Sequence, residues 1–261
     1  PGQNRLAEGS QVFSDIWVNL PSQKGMETEE IIQSAADGNI DVLFLLGSDP
    51  LSDFYDPDLA EKALKMVGTV ISVDLFVNPS AYHADIFFPA SSFTEVTGSH
   101  TNTEGRITPI RQKVTSPGTA RPDWMIAAEI AHRLGHDLGI EKPEDIWNEL
   151  NSRSISHEQI SFDSIANSPD GQFIKESDAI TLGNLEKISD TRPFDSYSLR
   201  LVLAKRMYDK GTITQMSPAL QQFAGTSQLH INPSDFEAMG IQEGKPVLVS
   251  AGERSLTLLV V

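Results

Sequence analysis

The sequence predicts an α/β chain, a doubly wound parallel-sheet domain followed by a truncated β barrel, and three observations carry that expectation. Three short apolar runs, Val42 to Leu46, Val70 to Val73 and Asp85 to Phe88, each close at a turn signal, and a helix-period segment, Leu59 to Met66, separates the first two. Beyond Ser196 the periodicity drops to two, as in SLRLVL and PVLVS. Between these halves, residues 151–195 are polar and patternless. Buried strands alternating with helices build parallel sheets, whereas short alternating strands at regular spacing build barrels.

Taken in order, residues 1–25 are polar apart from the island VFSDIWVNL and are expected to be the tail of a preceding unit. Residues 26–150 form the α/β domain. Its first helix opens near Met26, with Thr28 as cap and Glu29 and Glu30 at the positive end of the dipole. Ile31, Ile32 and Ala35 face inward, and Asp37-Gly38-Asn39 ends the helix. The first strand then runs into the turn Gly47-Ser48-Asp49-Pro50, and the second reaches Asp74. Residues 91–122 read as a long polar loop, uncommon inside a compact domain and usually functional or disordered. An amphipathic helix follows from Asp123 to Leu138, then a second from Glu144 to Leu150. Residues 151–195 read as linker or surface excursion, and 196–261 as the partial barrel.

Composition excludes several classes. A formal charge of −16 repels phosphate backbones and anionic lipid, which argues against nucleic acid as partner. No apolar run approaches the ~20 residues of a membrane span, and the first residues lack the basic and apolar regions of a signal peptide. Without cysteine, this chain offers no disulfide, no thiol chemistry and no Cys-held zinc or iron–sulfur cluster. The start at Pro1 and the end inside SLTLLVV suggest a piece of a longer polypeptide.

Ligands of open parallel sheets bind outside the carboxyl ends of the strands, and Gly47, Asp49 and Asp74 fall there. Gly47 allows a close backbone approach and Asp49 offers an acceptor; the alternative is a strand-to-helix turn in which Asp49 caps. Asp74 reads equally as a ligand contact or a cap. His132 and His136, four apart on one helix, have a spacing that suits zinc but lack a third ligand nearby in sequence. Two histidines near a helix C-terminus also suit its dipole.

The runs LFLLGSDP, ISVDLFVNPSAYHADIFFPASSFTEVTGSHTNTEGRITP and SPGTARPDWMIAAEIAHRLG resemble the molybdopterin oxidoreductase superfamily, in its formate dehydrogenase/DMSO reductase domain 2–3 type. The tail from LRLVLAKRMYDKGTITQMSPALQQ through LHINPSDFEAMGIQEGKPVLVSAG resembles that superfamily's dinucleotide-binding double-psi barrel. The resemblance implies cofactor contacts at Gly47, Asp49 and Asp74, in the loop holding Thr97, Gly98, Ser99, Thr101, Asn102, Glu104 and Arg106, and in the barrel at Lys205, Arg206, Gly211, Thr212 and Thr214. The alternatives are a loop locked by pairing of Arg106 with Glu95 or Glu104, and an ordinary strand exit in the barrel.

Within the superfamily the chain looks most like the C-terminal part of the large iron–sulfur subunit, the G-type subunit, of NADH-quinone oxidoreductase (complex I). GSDP replaces the GxNP turn common in active members, and SFDSIANSPDGQF lacks their Trp-Pro. That branch implies a structural domain with no catalytic residue, metal or cofactor of its own, in a parent that carries iron–sulfur clusters and acts with NADH and quinone through other subunits. Its partners would be the N-terminal region of the same chain and other complex I subunits, at the cytoplasmic face of the membrane. The alternative is half of a molybdopterin guanine dinucleotide site in an active formate dehydrogenase or nitrate reductase.

Overall fold

The structure, a computed structural model, describes residues 25–154, 157–174, 199–202, 204, 207–252 and 254–261. The chain divides into two compact units, Pro1–Ser196 and Tyr197–Val261.

Among the described residues of the first unit, the first element is helix α1 (Thr28–Ala36), whose cap is Glu27 and not the expected Thr28. The Glu30 carboxylate accepts the Glu27 N–H at 2.7 Å, a capping box that satisfies a donor the helix start leaves unpaired. Strand β1 (Val42–Leu46) follows, then the short helix α2 (Pro50–Asp53), helix α3 (Pro57–Met66) and strand β2 (Thr69–Asp74). A 3₁₀ turn, Ser80–His83, leads to β3 (Ile86–Pro89). The three strands are parallel, in the order β1-β2-β3, with Phe44 beside Ile71 and Ile71 beside Ile86. Asp85 ties the entry of β3 to its neighbour by accepting the Val70 N–H at 2.8 Å.

Alternation along β1 turns Leu43 and Leu45 inward, where Ile32, Ala35, Ala63, Leu64 and Val70 join them in one core. Helices α1 and α3 supply that layer. A strand reading VLFLL, apolar on both faces, predicts doubly wound cover. Among the described residues the other face of β1 is open instead, with Val42, Phe44 and Leu46 all exposed.

The polar stretch 91–122 contains a hairpin in place of the expected loop, β4 (Gly98–Thr101) antiparallel to β5 (Arg106–Ile110). Helix α4 (Asp123–Arg133) stops short of the expected Leu138, because Gly135 takes a positive φ of 87°. Helix α5 (Pro143–Arg153) starts on a proline whose missing N–H costs nothing there. Part of the expected linker is structured. It forms helix α6 (Phe162–Ala166) and the two-residue strand β6 (Gln172–Phe173), which pairs with β5. Ile107, Trp147, Ile160 and Ile165 build a second core, with Ile107 and Ile165 fully buried. Two isoleucines within a polar run give no period to read, which is why this packing escapes the sequence.

The second unit carries α7 (Thr212–Met216), α8 (Pro218–Gln221), β7 (Gln228–Leu229), α9 (Pro233–Ala238), β8 (Pro246–Ala251) and β9 (Arg254–Val260). Its strands form a sheet in the order β7-β9-β8, β7 parallel and β8 antiparallel to β9. Of the expected SLRLVL strand, residues 199–202 are exposed and not in a strand, and Ser198 and Leu203 lie outside the described residues. No helix among the described residues is long and apolar enough to cross a membrane.

Candidate functional site

The carboxyl edge of the parallel sheet gathers polar side chains that the interior would otherwise exclude. Gly47 ends β1 with φ 54°, and a Cβ built on it would meet nothing within 4 Å. Asp49 is 3 % exposed, and its side chain does not cap the helix it precedes. Its Oδ1 instead accepts from the Ser80 N–H at 3.1 Å and the Ser80 hydroxyl at 2.5 Å. The same hydroxyl oxygen accepts from the Leu51 N–H at 3.0 Å, so Ser80 ties the two loops together. Asp49 Oδ2 is buried without a hydrogen-bond partner among the described residues. A buried acceptor left unpaired costs free energy unless something donates to it.

Asp74 is engaged by its own loop. Oδ1 accepts from the N–H groups of Leu75 at 2.6 Å and Phe76 at 3.3 Å, and Oδ2 from the Asn78 amide at 2.9 Å. Asn78 in turn accepts the Ala81 N–H at 2.8 Å. The carboxylate thus shapes the turn after β2. Asp123, at the start of α4, has its pKa raised, first by burial and then by the Asp74 charge.

The hairpin residues form a second group. Asn102 Oδ1 accepts from the N–H groups of Glu104 at 3.0 Å and Arg106 at 2.9 Å, which closes the turn. Among the described residues, Arg106 pairs with neither Glu95 nor Glu104. Its guanidinium donates to the Asp170 carbonyl at 2.8 Å and lies 4.2 Å over the Phe173 ring. Glu95 accepts the Ser92 N–H instead, and Thr101 and Glu104 are exposed. No hydrogen bond or ion pair among the described residues joins Asn102 or Arg106 to Asp49 or Asp74.

In the second unit the Gly211 N–H donates to Asp209 at 2.8 Å, and Thr212 begins the five-residue α7. Lys205 and Arg206 lie outside the described residues. No cluster of three potential metal ligands occurs among the described residues, His132 and His136 included.

Residues 4–133 match the sequence model of the family described as Molybdopterin oxidoreductase. This stretch belongs to the molybdopterin oxidoreductase family. Among its relatives, the F420-dependent formate dehydrogenase subunit alpha of Methanocaldococcus jannaschii is 28 % identical, over 98 % of this chain and 42 % of that protein. A G-type subunit of NADH-quinone oxidoreductase from Rhizobium meliloti is 25 % identical, over 98 % of this chain and 30 % of that protein. The chain therefore spans less than half the length of either. Acetylene hydratase from Pelobacter acetylenicus shares the fold, with a TM-score of 0.67 at 17 % identity, over 89 % of this chain and 37 % of that one.

In the hairpin, Asn102 Oδ1 and the Arg106 guanidinium are engaged by the chain's own backbone and by Phe173. Near the carboxyl end of the sheet, Asp49 Oδ2 and Ser72 Oγ are buried without a hydrogen-bond partner among the described residues. Sequence reasoning names Gly47, Asp49, Asp74, Asn102 and Arg106 as candidates but not the partners Ser80, Asn78 and Phe173 that the structure sets beside Asp49, Asp74 and Arg106. The Asn78-Pro79-Ser80 turn is the available signal for the first two.

Proposed function

We propose that this chain is a C-terminal structural domain of the G-type iron–sulfur subunit of an NADH-quinone oxidoreductase, which supports electron transfer from NADH to quinone without a redox centre of its own. The observation that carries this reading is the clamp on Arg106. The arginine that the family resemblance assigns to a cofactor is held by the Asp170 carbonyl and stacked on Phe173, in the service of the fold. The similarity to a G-type subunit across nearly the whole chain agrees with it. In this role the domain packs on the N-terminal region of its own polypeptide and on other complex I subunits, at the cytoplasmic face of the membrane.

A second reading, part of a molybdopterin guanine dinucleotide site in an active enzyme, is favoured by two observations. One is the unpaired, buried Asp49 Oδ2 beside the open Gly47. The other is the likeness to a formate dehydrogenase alpha subunit. Metal analysis separates the two. The full-length natural protein is assayed for molybdenum and tungsten by mass spectrometry and for oxidised pterin by fluorescence. Iron without molybdenum, tungsten or pterin is expected; stoichiometric molybdenum and pterin would overturn the structural role.

A further inference from the structure

The two edges of the parallel sheet differ. The β3 edge is closed: Arg121 runs parallel beside Ala90, the Ser91 N–H donates to the Arg121 carbonyl at 2.9 Å, and the Arg121 N–H donates to the Pro89 carbonyl at 3.1 Å. The β1 edge is open. The Thr69 N–H donates to the Asp41 carbonyl and the Gly47 N–H to the Val73 carbonyl, both at 2.9 Å, which fixes the phase of β1. Peptide groups of alternate residues face opposite edges, so Leu43 and Leu45 serve β2 while Val42, Phe44 and Leu46 turn theirs outward. Among the described residues, no hydrogen bond engages those outward N–H and C=O groups. Natural edges are guarded by charge, proline or a bulge. Strand β1 has none of these: it reads VLFLL and pairs with β2 in unbroken register from Val42 to Leu46. Its sequence is that of an interior strand.

We propose that this edge receives a parallel strand of the same polypeptide, one that precedes α1 in chain order. Handedness selects that occupant. Ile32 and Ala35 of α1 share one core with Ala63 and Leu64 of α3, so both helices lie on the Leu43 and Leu45 face of the sheet. Helix α3 connects β1 to β2, and parallel crossovers keep one hand. A helix in that same layer that leads into β1 therefore comes from a strand on the side of β1 away from β2, which is the open edge. The incoming strand is apolar on both faces, because it lies beside the buried Leu43 and Leu45 on one face and beside Val42, Phe44 and Leu46 on the other. The chain spans less than half the length of either relative above, which leaves polypeptide for such a strand. A second copy is the poorer occupant, since two chains of charge −16 repel. The contact rests on the reading that this domain packs on the N-terminal region of its own polypeptide, and it specifies how.

Hydrogen exchange resolved to single amides in the full-length natural protein tests the edge. Phe44 and Leu46 should be protected to within about tenfold of Leu43 and Leu45, as in a strand bonded on both sides. A wider gap, with the outward amides exchanging faster, would overturn the proposal. The occupant is identified by p-benzoylphenylalanine in place of Phe44, with the photo-cross-linked peptides mapped by mass spectrometry. Unchanged protection of Leu43 and Leu45 shows that this variant is folded. A cross-link to the same polypeptide N-terminal to α1 is expected. Cross-links only to other segments, to another subunit or to a second copy would overturn the proposal, as would none. Molybdenum and pterin in the parent would overturn the structural role and leave an upstream cross-link standing. An unprotected edge in a parent without them overturns this contact alone.

Discussion

Replacing Gly171 with alanine tests the close approach that holds β6 against β5. Gly171 has φ 75°, and a Cβ there would lie 2.4 Å from the Ile107 carbonyl oxygen and 3.0 Å from the Thr108 methyl. The left-handed conformation costs an alanine about 1–2 kcal/mol. Relieving contact with a backbone oxygen, which cannot swing aside as a side chain does, adds about 1–3 kcal/mol. A smaller entropy loss on folding returns roughly 0.4–1 kcal/mol, so the net cost is about 1–5 kcal/mol, centred at ~3 kcal/mol. All three tryptophans lie within the first unit's range, so urea unfolding followed by tryptophan fluorescence reports on it. With a slope of about 1–3 kcal/mol per molar urea, the central cost of ~3 kcal/mol lowers the midpoint by ~1–3 M. Gly47→Ala is the control, since its φ of 54° is also positive but its surroundings are open; its cost should be the conformational part, about 1 kcal/mol. Equal midpoints for the two variants would refute the steric argument.

Other perturbations probe the site. Arg106→Met removes a charged donor and a cation–π contact from a partly exposed place and should cost about 1–2 kcal/mol in the same urea assay; no change would detach Arg106 from the fold. Ser80→Ala strips the buried Asp49 of one donor and the Leu51 N–H of its acceptor. It should cost about 1–3 kcal/mol, and an unaltered melting curve would contradict the described bonding. Asp123 has a raised folded-state pKa, so its contribution to stability is full below the unfolded carboxylate value and is lost as pH rises through the folded one. Asp123→Asn should therefore be more stable than the natural chain at neutral pH, with the gap closing in acid. A gap that widened in acid would reverse the assigned cause.

The parallel sheet is legible because each strand is a short apolar run closed by a turn: Val42 to Leu46 coincides with β1, and Asp74 ends β2 as read. The hairpin is not, since Ser99, Thr101, Arg106 and Thr108 resemble loop residues and only Ile107 is fully buried. Its stability comes from Trp147, Ile160 and Ile165, remote in sequence, and a local reading weighs no remote partner. At the candidate site, the strand-end positions of Gly47, Asp49 and Asp74 follow from the topology of the sheet. Whether a carboxylate there faces a ligand or its own loop depends on Ser80 and Asn78, whose reach only the folded backbone decides.

The alternation along β1 separates two properties that usually travel together. Leu43 and Leu45 hold the core, while Val42, Phe44 and Leu46 point away from it and stay exposed. An exposed run of this kind makes copies adhere to one another at high concentration. Polar replacements at Val42 and Leu46 change that adhesion without touching a core contact of Leu43 or Leu45. One five-residue strand therefore offers independent handles on solubility and on folding.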